Sequence, residues 1–362
     1  MPVYRPTADC IWNSFRSSGK RHLILTGGRG AGKTTLLASL FPQGAPGLTT
    51  WAQKGQGVYL KDKGTGSVCQ VGVFDPGLPG EENKMRPVLR GFETLGVQVL
   101  AHCRKAPEQW VTIDEIGYLE TRCPVYCAGI VDLMERKHLA AVVRKQELPF
   151  LRELCGRPDV FLVDLDAPYG NQGCVIMASG LGQRFGGNKL LATFRGEPML
   201  LRTLAATEGI FRNRVVVTRD GAAAALCRER GIETVLHARP YRSDTVRLGL
   251  EAVGAVRQCL FCPADQPLLR QQTVATLALA GTAVPDGIWR PCSEQTPGAP
   301  VLFPQWSFSE LRQLSQSQGG GAVIRRYPEF LHTIPADKWE LRDVDTPEAL
   351  AQLEEVYSAA FS

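Results

Sequence analysis

Nowhere in its 362 residues does the chain hold the roughly 18 uninterrupted apolar residues that a membrane-spanning helix needs, so no such helix is expected. Its opening stretch, MPVYRPTADCIWNSFRSSGK, lacks the apolar segment of a secretion signal, which points to the cytoplasm. Lys and Arg do not run together, and a formal net charge of +5 is small for the length, so no nucleic-acid-binding face is expected. Histidine is scarce: His22, His102, His138, His237 and His332 form no Ser-His-Asp or Cys-His set for nucleophilic catalysis. The 11 cysteines are an odd count, and several sit in apolar runs (Cys155, Cys174, Cys227, Cys259, Cys262), as reduced, buried thiols do. Cys259 and Cys262 have C-x-x-C spacing, but CLFCPADQP reads as a strand that turns them to opposite faces. Cys123 and Cys127 lack a second Cys or His pair to complete a zinc site. Packing, rather than metal binding, is the expectation for both pairs.

What the chain does hold is alternation. Its length exceeds one ordinary core and suits two domains of about 150 to 200 residues. With 44% hydrophobic and 21% charged residues it has the composition of a globular protein. Strand-like runs HLILT, WVTIDE, AAVVR and VFLVDLD, then CVIMA, RVVVT, CLFCPAD and WELRDVDT, alternate with helical patterns. This predicts an α/β protein of two three-layer domains, with parallel sheets covered by helices on both faces. Each half starts with a strand, a glycine loop and a helix. The turn-rich DAPYGNQG (166–173) precedes the second start and sets the domains at 1–168 and 169–362. The two loops follow different patterns, so the halves are not repeats.

The first loop, Gly27-Gly28-Arg29-Gly30-Ala31-Gly32-Lys33-Thr34, fits G-x-x-x-x-G-K-[ST], with a strand before and a helix after. Gly27, Gly30 and Gly32 let backbone N–H groups curl around a β-phosphate, and the helix N-terminus adds partial positive charge. Lys33 is placed to reach the β and γ phosphates, the Thr34 hydroxyl to ligate Mg²⁺, and Thr35 to complete the nucleotide-binding set. A glycine-rich turn that binds nothing is the plain alternative, and the flanking elements argue against it. The run WVTIDE ends in Asp114, for the Mg²⁺ shell, and Glu115, to polarise an attacking water. Alone, such a run only caps the next helix.

GGRGAGKTTLL, GLTTWAQKGQGVYL and TIDEIGYLE together resemble the small nucleoside-triphosphatase family first described from thermophiles, over about residues 20–165. The resemblance implies a P-loop nucleoside-triphosphatase fold that binds and slowly hydrolyses ATP or GTP. Tyr118 stands where the family's Asp-Glu-Ile-Gly-Lys-Met-Glu carries Lys, which bears on hydrolysis rate more than on nucleotide binding.

The second loop, MASGLGQRFGGNKLL, is not closed by Gly-Lys-Thr and does not fit G-x-G-x-x-G. Gly180, Gly182, Gly186 and Gly187 permit close backbone approach, and Arg184 and Lys189 add two cations to amides that already attract anions. That suits a triphosphate whose terminal pyrophosphate leaves; a solvated basic turn is the alternative. CLFCPADQPLL puts Asp265 at the C-terminal end of a buried strand, where open α/β sheets bind ligands. In LRDVDTPEAL, Asp343 and Asp345 share a face if the segment is extended. Thr346-Pro347-Glu348 starts a helix, so Asp345 reads as a cap and Asp343 as the metal ligand.

With SDTVRLGLEA, ADQP and DVDTP, this loop resembles the nucleotidyltransferases of molybdenum cofactor biosynthesis, the cytidylyltransferase branch above all, from about residue 172 to 355. The resemblance implies a Rossmann-like nucleotidyltransferase fold whose nucleotide-binding set includes Ala178, Ser179, Gly180, Gly182, Gly186, Ser243 and Thr245. It implies transfer of CMP from CTP, or another NTP's monophosphate, to molybdopterin or its molybdenum form. Mg²⁺ would sit on Asp265 and Asp343, with Lys189 and Arg184 neutralising phosphate charge. Ser179 stands where the cytidylyl branch has Ala and the guanylyl branch Gly, and Gly182 replaces the usual Ser. Gly298-Ala299-Pro300 replaces Gly-His-Pro, and 316–323 lacks Gly-Asp. A sugar-phosphate nucleotidylyltransferase and a nucleotide-switched cofactor chaperone are the rival readings. The first domain's hydrolysis would serve cofactor maturation or delivery to a molybdenum hydroxylase.

Overall fold

The computed structural model describes residues 2–78, 84–180, 182–316 and 318–361. The chain forms two compact units, Ser18–Pro168 and a second made of Met1–Ser17 with Tyr169–Ser362. Both are α/β. The break after Pro168 falls inside the turn-rich stretch, but the first 17 residues, expected with the N-terminal domain, join the other unit. Helix α1 (Ala8–Ser18) buries Cys10, Ile11 and Phe15 there. The fully buried Ser14 Oγ lies 2.8 Å from the Thr276 carbonyl, and the Tyr169 hydroxyl donates to the Tyr4 carbonyl at 2.9 Å.

The unit Ser18–Pro168 is one eight-stranded sheet: β1 (His22–Thr26), β2 (Gly47–Gln53), β3 (Gly57–Asp62), β4 (Val68–Phe74), β5 (Met85–Pro87), β6 (Trp110–Ile116), β7 (His138–Val143) and β8 (Val160–Asp164), in the order β5-β4-β3-β2-β6-β7-β1-β8. Helices α2 (Lys33–Leu40), α3 (Leu89–Gly91), α4 (Val97–Lys105), α5 (Pro124–Arg136) and α6 (Pro149–Gly156) complete it. Strands β2, β6, β7, β1 and β8 run parallel, and their apolar runs follow from burial on both faces. The sheet is not wholly parallel as expected, since β3, β4 and β5 extend it antiparallel. One glycine lets β2 lie against β6: a Cβ on Gly47 would fall 1.8 Å from the Thr112 carbonyl, at φ +143°. Strand β7 separates β1, which leads into the first glycine loop, from β6, which ends in Asp114 and Glu115.

The second unit is built on β9 (Gln172–Ala178), the small hairpin β10 (Thr193–Phe194) with β11 (Glu197–Pro198), then β12 (Asn213–Thr218), β13 (Glu233–Leu236), β14 (Gln258–Pro263), β15 (Ile288–Ser293), β16 (Thr296–Pro297), β17 (Val301–Pro304) and β18 (Leu331–Pro335). Its large sheet runs β13-β12-β9-β14-β17-β15-β16, with β18 paired to β15. The first four of these are parallel, while β17 is antiparallel to β14. Helices are α7 (Met199–Ala206), α8 (Gly221–Glu229), α9 (Arg242–Ala252), α10 (Gln271–Ala283), α11 (Phe308–Arg312), α12 (Gly321–Arg326) and α13 (Pro347–Phe361). The chain leaves β9 toward β12 on one side and returns to β14 on the other, so the carboxyl ends of β9 and β14 open a crevice.

Two local expectations fail. WELRDVDT is not a strand: residues 342–345 carry no regular structure, and the Val344 N–H donates to the Asp265 carbonyl at 2.9 Å. Lys-Leu-Leu does not start a helix but forms a single 3₁₀ turn, Lys189–Leu191, capped by the Asn188 side chain.

Helix α9 is seated on β9 by Gly249, where a Cβ would lie 2.4 Å from Val175 Cγ1 and 2.8 Å from Cγ2. Gly249→Ala should therefore cost about 1–3 kcal/mol by overpacking, read as a lower urea midpoint at unchanged m-value. A variant as stable as its parent would show that this close seating does not hold in solution.

Candidate functional site

In the unit Ser18–Pro168, the loop between β1 and α2 turns on Gly27, Gly30 and Gly32, at φ +141°, +79° and +87°. The Lys33 ammonium is folded back on this loop, donating to the Gly27 carbonyl at 2.8 Å and the Gly28 carbonyl at 2.7 Å. The Thr34 hydroxyl donates to Asp114 Oδ1 at 3.1 Å, so the expected hydroxyl and carboxylate do meet. Burial raises the Asp114 carboxyl above its ordinary range, opposed by the Thr34 hydroxyl and the Lys63 ammonium. Thr35 is exposed and stands outside this cluster. Glu115 does not point into open space: its carboxylate is joined to the Arg144 guanidinium.

Several neighbours were not singled out in the sequence. Asp166 accepts the Gly28 N–H with both oxygens at 3.0 Å, and Lys145 bridges Asp164 and Asp166 at 2.8 and 3.0 Å. Glu120 is buried, accepts the Gly117 N–H at 2.8 Å, and is pushed up to about 7 by burial. For Lys145, Asp164 and Asp166 the signal was position: RK and DLD end the apolar runs of β7 and β8, the two strands flanking β1. Charges there come to the same edge as the glycine loop.

In the second unit the site is centred on Lys189, whose side chain is only 7% exposed. Its ammonium donates to Asp265 Oδ2 at 2.6 Å, to Asp345 Oδ1 at 2.9 Å and to the Val344 carbonyl at 3.1 Å. Burial alone would depress this lysine; the Asp265 and Asp345 carboxylates outweigh it, and its pKa rises. The glycine loop closes tightly over the stem. A Cβ on Gly182 would meet the Gly187 carbonyl at 2.7 Å and Lys189 Cγ at 3.5 Å, and Gly182 and Gly186 adopt φ +57° and +71°. Gly180 borders Lys189 Cε; Leu181, quoted with this loop, lies outside the described residues.

Asp345 is the main correction here. It does not cap α13; the Thr346 hydroxyl oxygen takes the Ala349 N–H at 3.2 Å. Asp345 instead ion-pairs with Lys189, which holds its carboxyl below the usual range, and approaches the largely exposed Arg184 at 3.9 Å. Asp343 accepts from the Gln266 amide at 3.0 Å, and burial, then the Asp265 charge, raise its carboxyl. Four cysteines named above, Cys174, Cys227, Cys259 and Cys262, are buried and free, whereas Cys155 is half-buried.

Residues 174–330 match the model of the MobA-like NTP transferase domain. The match covers somewhat less than half of the chain. Similar solved structures include Rv0371c from Mycobacterium tuberculosis H37Rv, at 22% identity over 51% of this chain and 98% of that one, TM-score 0.46. A CMP:2-keto-3-deoxy-manno-octonic acid synthetase complexed with CTP is 14% identical over 53% of this chain and 100% of its own, TM-score 0.45. THEP1 from Aquifex aeolicus is 22% identical over 40% of this chain and 89% of its own, TM-score 0.35. No curated protein matches the chain.

Within the matched residues, the side chain of Ser179 is committed to its own fold. The Arg239 N–H donates to His237 Nδ1 at 3.2 Å, which places the proton of the neutral ring on Nε2. That Nε2–H then donates to Ser179 Oγ at 2.9 Å, leaving the serine proton for the Val217 carbonyl at 3.0 Å. Arg219 clamps the Ser179 carbonyl with Nε and Nη2 at 2.9 and 2.7 Å, and the Thr218 hydroxyl donates to the Ala178 carbonyl. Ser243 and Thr245 are both buried at the start of α9, and the Thr245 hydroxyl has no partner among the described residues. A hollow of about 490 Å³ beside them is lined by Arg239, Tyr241, Ser243, Asp244, Arg247 and Ser315, among others.

Burial, then the Arg219 charge, lowers the His237 pKa below 6.5. The neutral ring is therefore favoured by the fold, and its contribution is present above pH 6.5 and lost as pH falls below it. Wild type should lose more unfolding free energy than His237→Asn between pH 7.5 and 5.5. Equal losses in urea titrations would refute the neutral tautomer.

Proposed function

We propose that the second unit transfers a nucleoside monophosphate, CMP in our reading, from CTP to the terminal phosphate of molybdopterin or its molybdenum form. The observation that carries this reading is the Lys189 ammonium held between Asp265 and Asp345 beneath the glycine loop. In the transfer, an acceptor phosphate oxygen attacks the α-phosphorus. The bond to the bridging oxygen breaks, and its electron pair leaves with pyrophosphate. Loop amides, Lys189 and the exposed Arg184 offset the charge that builds on the departing phosphates. The Asp265 and Asp343 carboxylates fit a hard divalent cation: they are oxygen donors close enough that the charge of one raises the other. Bound there, Mg²⁺ would polarise the α-phosphoryl group. Since Ser179 Oγ is already occupied, base choice would rest on backbone and other side chains.

The unit Ser18–Pro168 we read as a nucleoside triphosphatase acting on ATP or GTP. The glycine loop and Lys33 would hold the β and γ phosphates, and Glu115 would take a proton from the attacking water. The γ-phosphorus bond to the bridging oxygen would break with its electrons going to the diphosphate. Thr34 and Asp114, two oxygen donors 3.1 Å apart, fit Mg²⁺, which would neutralise phosphate charge. This hydrolysis would assist cofactor maturation or its hand-over to a molybdenum hydroxylase.

Pyrophosphate release from CTP with purified molybdopterin and Mg²⁺ tests the first part. Asp265→Ala or Lys189→Ala should lower the rate at least about 10²-fold, while Lys33→Ala leaves it intact and abolishes phosphate release from ATP and GTP. Activity only with a sugar 1-phosphate would sink the acceptor assignment. Cofactor hand-over without any dinucleotide product would sink the transferase reading.

A further inference from the structure

The feature that the reading above leaves unused is Arg144, the residue just past β7. In a regular strand Asp114 and Glu115 point to opposite faces. Here the parallel register of β6 on β7 runs Asp114 to Val142 and then Ile116 to Val143, so Glu115 is an extra, unpaired residue. Such a bulge re-aims a side chain. The backbone of Glu115 is pinned by its N–H bond to Thr50 Oγ1 at 3.0 Å, and its carboxylate is met by Arg144 Nε.

Arg144 reaches that carboxylate across Gly117. Its own N–H donates to the Ile116 carbonyl at 2.9 Å, and its stem fills the space beside Gly117 where a side chain would be. A Cβ on Gly117 would fall 2.8 Å from Arg144 Cδ, 3.2 Å from Cγ and 3.4 Å from Nε. The glycine of Asp114-Glu115-Ile116-Gly117 is therefore explained by space for the arginine. Glu120 holds Gly117 in turn, through the N–H bond to its Oε2. Glu120, Gly117, Arg144 and Glu115 make a continuous physical chain ending at the carboxylate.

We propose that Arg144 is the positioning residue for Glu115 in nucleoside triphosphate hydrolysis, an inference that rests on reading Ser18–Pro168 as a triphosphatase. Arg144 Nε occupies Oε1 and fixes the carboxylate, so that Oε2 is the oxygen that accepts the water proton. Orientation, rather than nucleotide affinity, is what it supplies. The loop residues that face phosphate, Lys33 and Thr34, do not depend on it.

The test uses the full chain and steady-state phosphate release from ATP and GTP, with nucleotide affinity measured by titration as the control for folding. Arg144→Ala should lower kcat about 10- to 100-fold with KM within about twofold. Arg144→Lys should recover part of the loss. In a Glu115→Gln background the same Arg144→Ala change should cost less than about twofold, because its effect runs through Glu115. Gly117→Ala should lower kcat when Arg144 is present and add nothing to Arg144→Ala. A fall in kcat of equal size in both Glu115 backgrounds, a raised KM at unchanged kcat, or faster hydrolysis by Arg144→Ala overturns the proposal. Hydrolysis abolished by Glu115→Gln but untouched by Arg144→Ala overturns the role of Arg144 alone. A wild-type protein that binds nucleotide and releases no phosphate overturns the triphosphatase reading and this inference with it.

Discussion

The second unit depends on one buried cation. An ammonium as enclosed as that of Lys189 would lose its proton or unfold its surroundings without compensating charge. Two carboxylates and a carbonyl supply that compensation, and they come from two places in the sequence: the end of β14, and the irregular segment 342–345, which gives both a side chain and a backbone carbonyl. The pairing therefore ties the glycine loop after β9 to the strand beside it and to the start of α13. Break one partner and the remaining charge is left buried and exposed to its full desolvation cost. The tight φ values of Gly182 and Gly186 follow from the same demand, since the loop must fold close enough to bring residue 189 under itself.

The two glycine loops occupy equivalent places, each after the first strand of its sheet, yet each handles its lysine differently. Lys33 rests on carbonyls of its own loop, held by dipoles rather than by full charges. Lys189 is held by full charges outside its loop and is already in place. One lysine is held from within its loop, and the other from outside it.

What could be read from the residues divides along physical lines. The strands β1, β6, β7, β8, β9, β12 and β14 were legible because burial on both faces leaves long apolar runs. The antiparallel additions β3 to β5 were not, since half-exposed strands carry a weaker signal, and β17 is too short to stand out. The meeting of Thr34 with Asp114 could be expected because a glycine-loop motif and an acidic strand end are read together, although 80 residues separate them. Asp345 was misread because a capping residue and an ion-pair partner look alike in one dimension. Only the fold shows that Thr346 does the capping. Arg144 was invisible for another reason: nothing in the sequence says that Gly117 is empty to admit it.

The path of the chain through its two units has a temporal consequence. Helix α1 is made well before its partner, since Ser14 finds the Thr276 carbonyl 262 residues later. At about 5–20 residues per second, the ribosome delivers that partner roughly 13 to 50 s after the helix. During that wait the whole of Ser18–Pro168 has emerged and can fold, while Ile11 and Phe15 have no core to enter. Helix α1 can therefore dock on its own unit only after the whole of Ser18–Pro168 has been made.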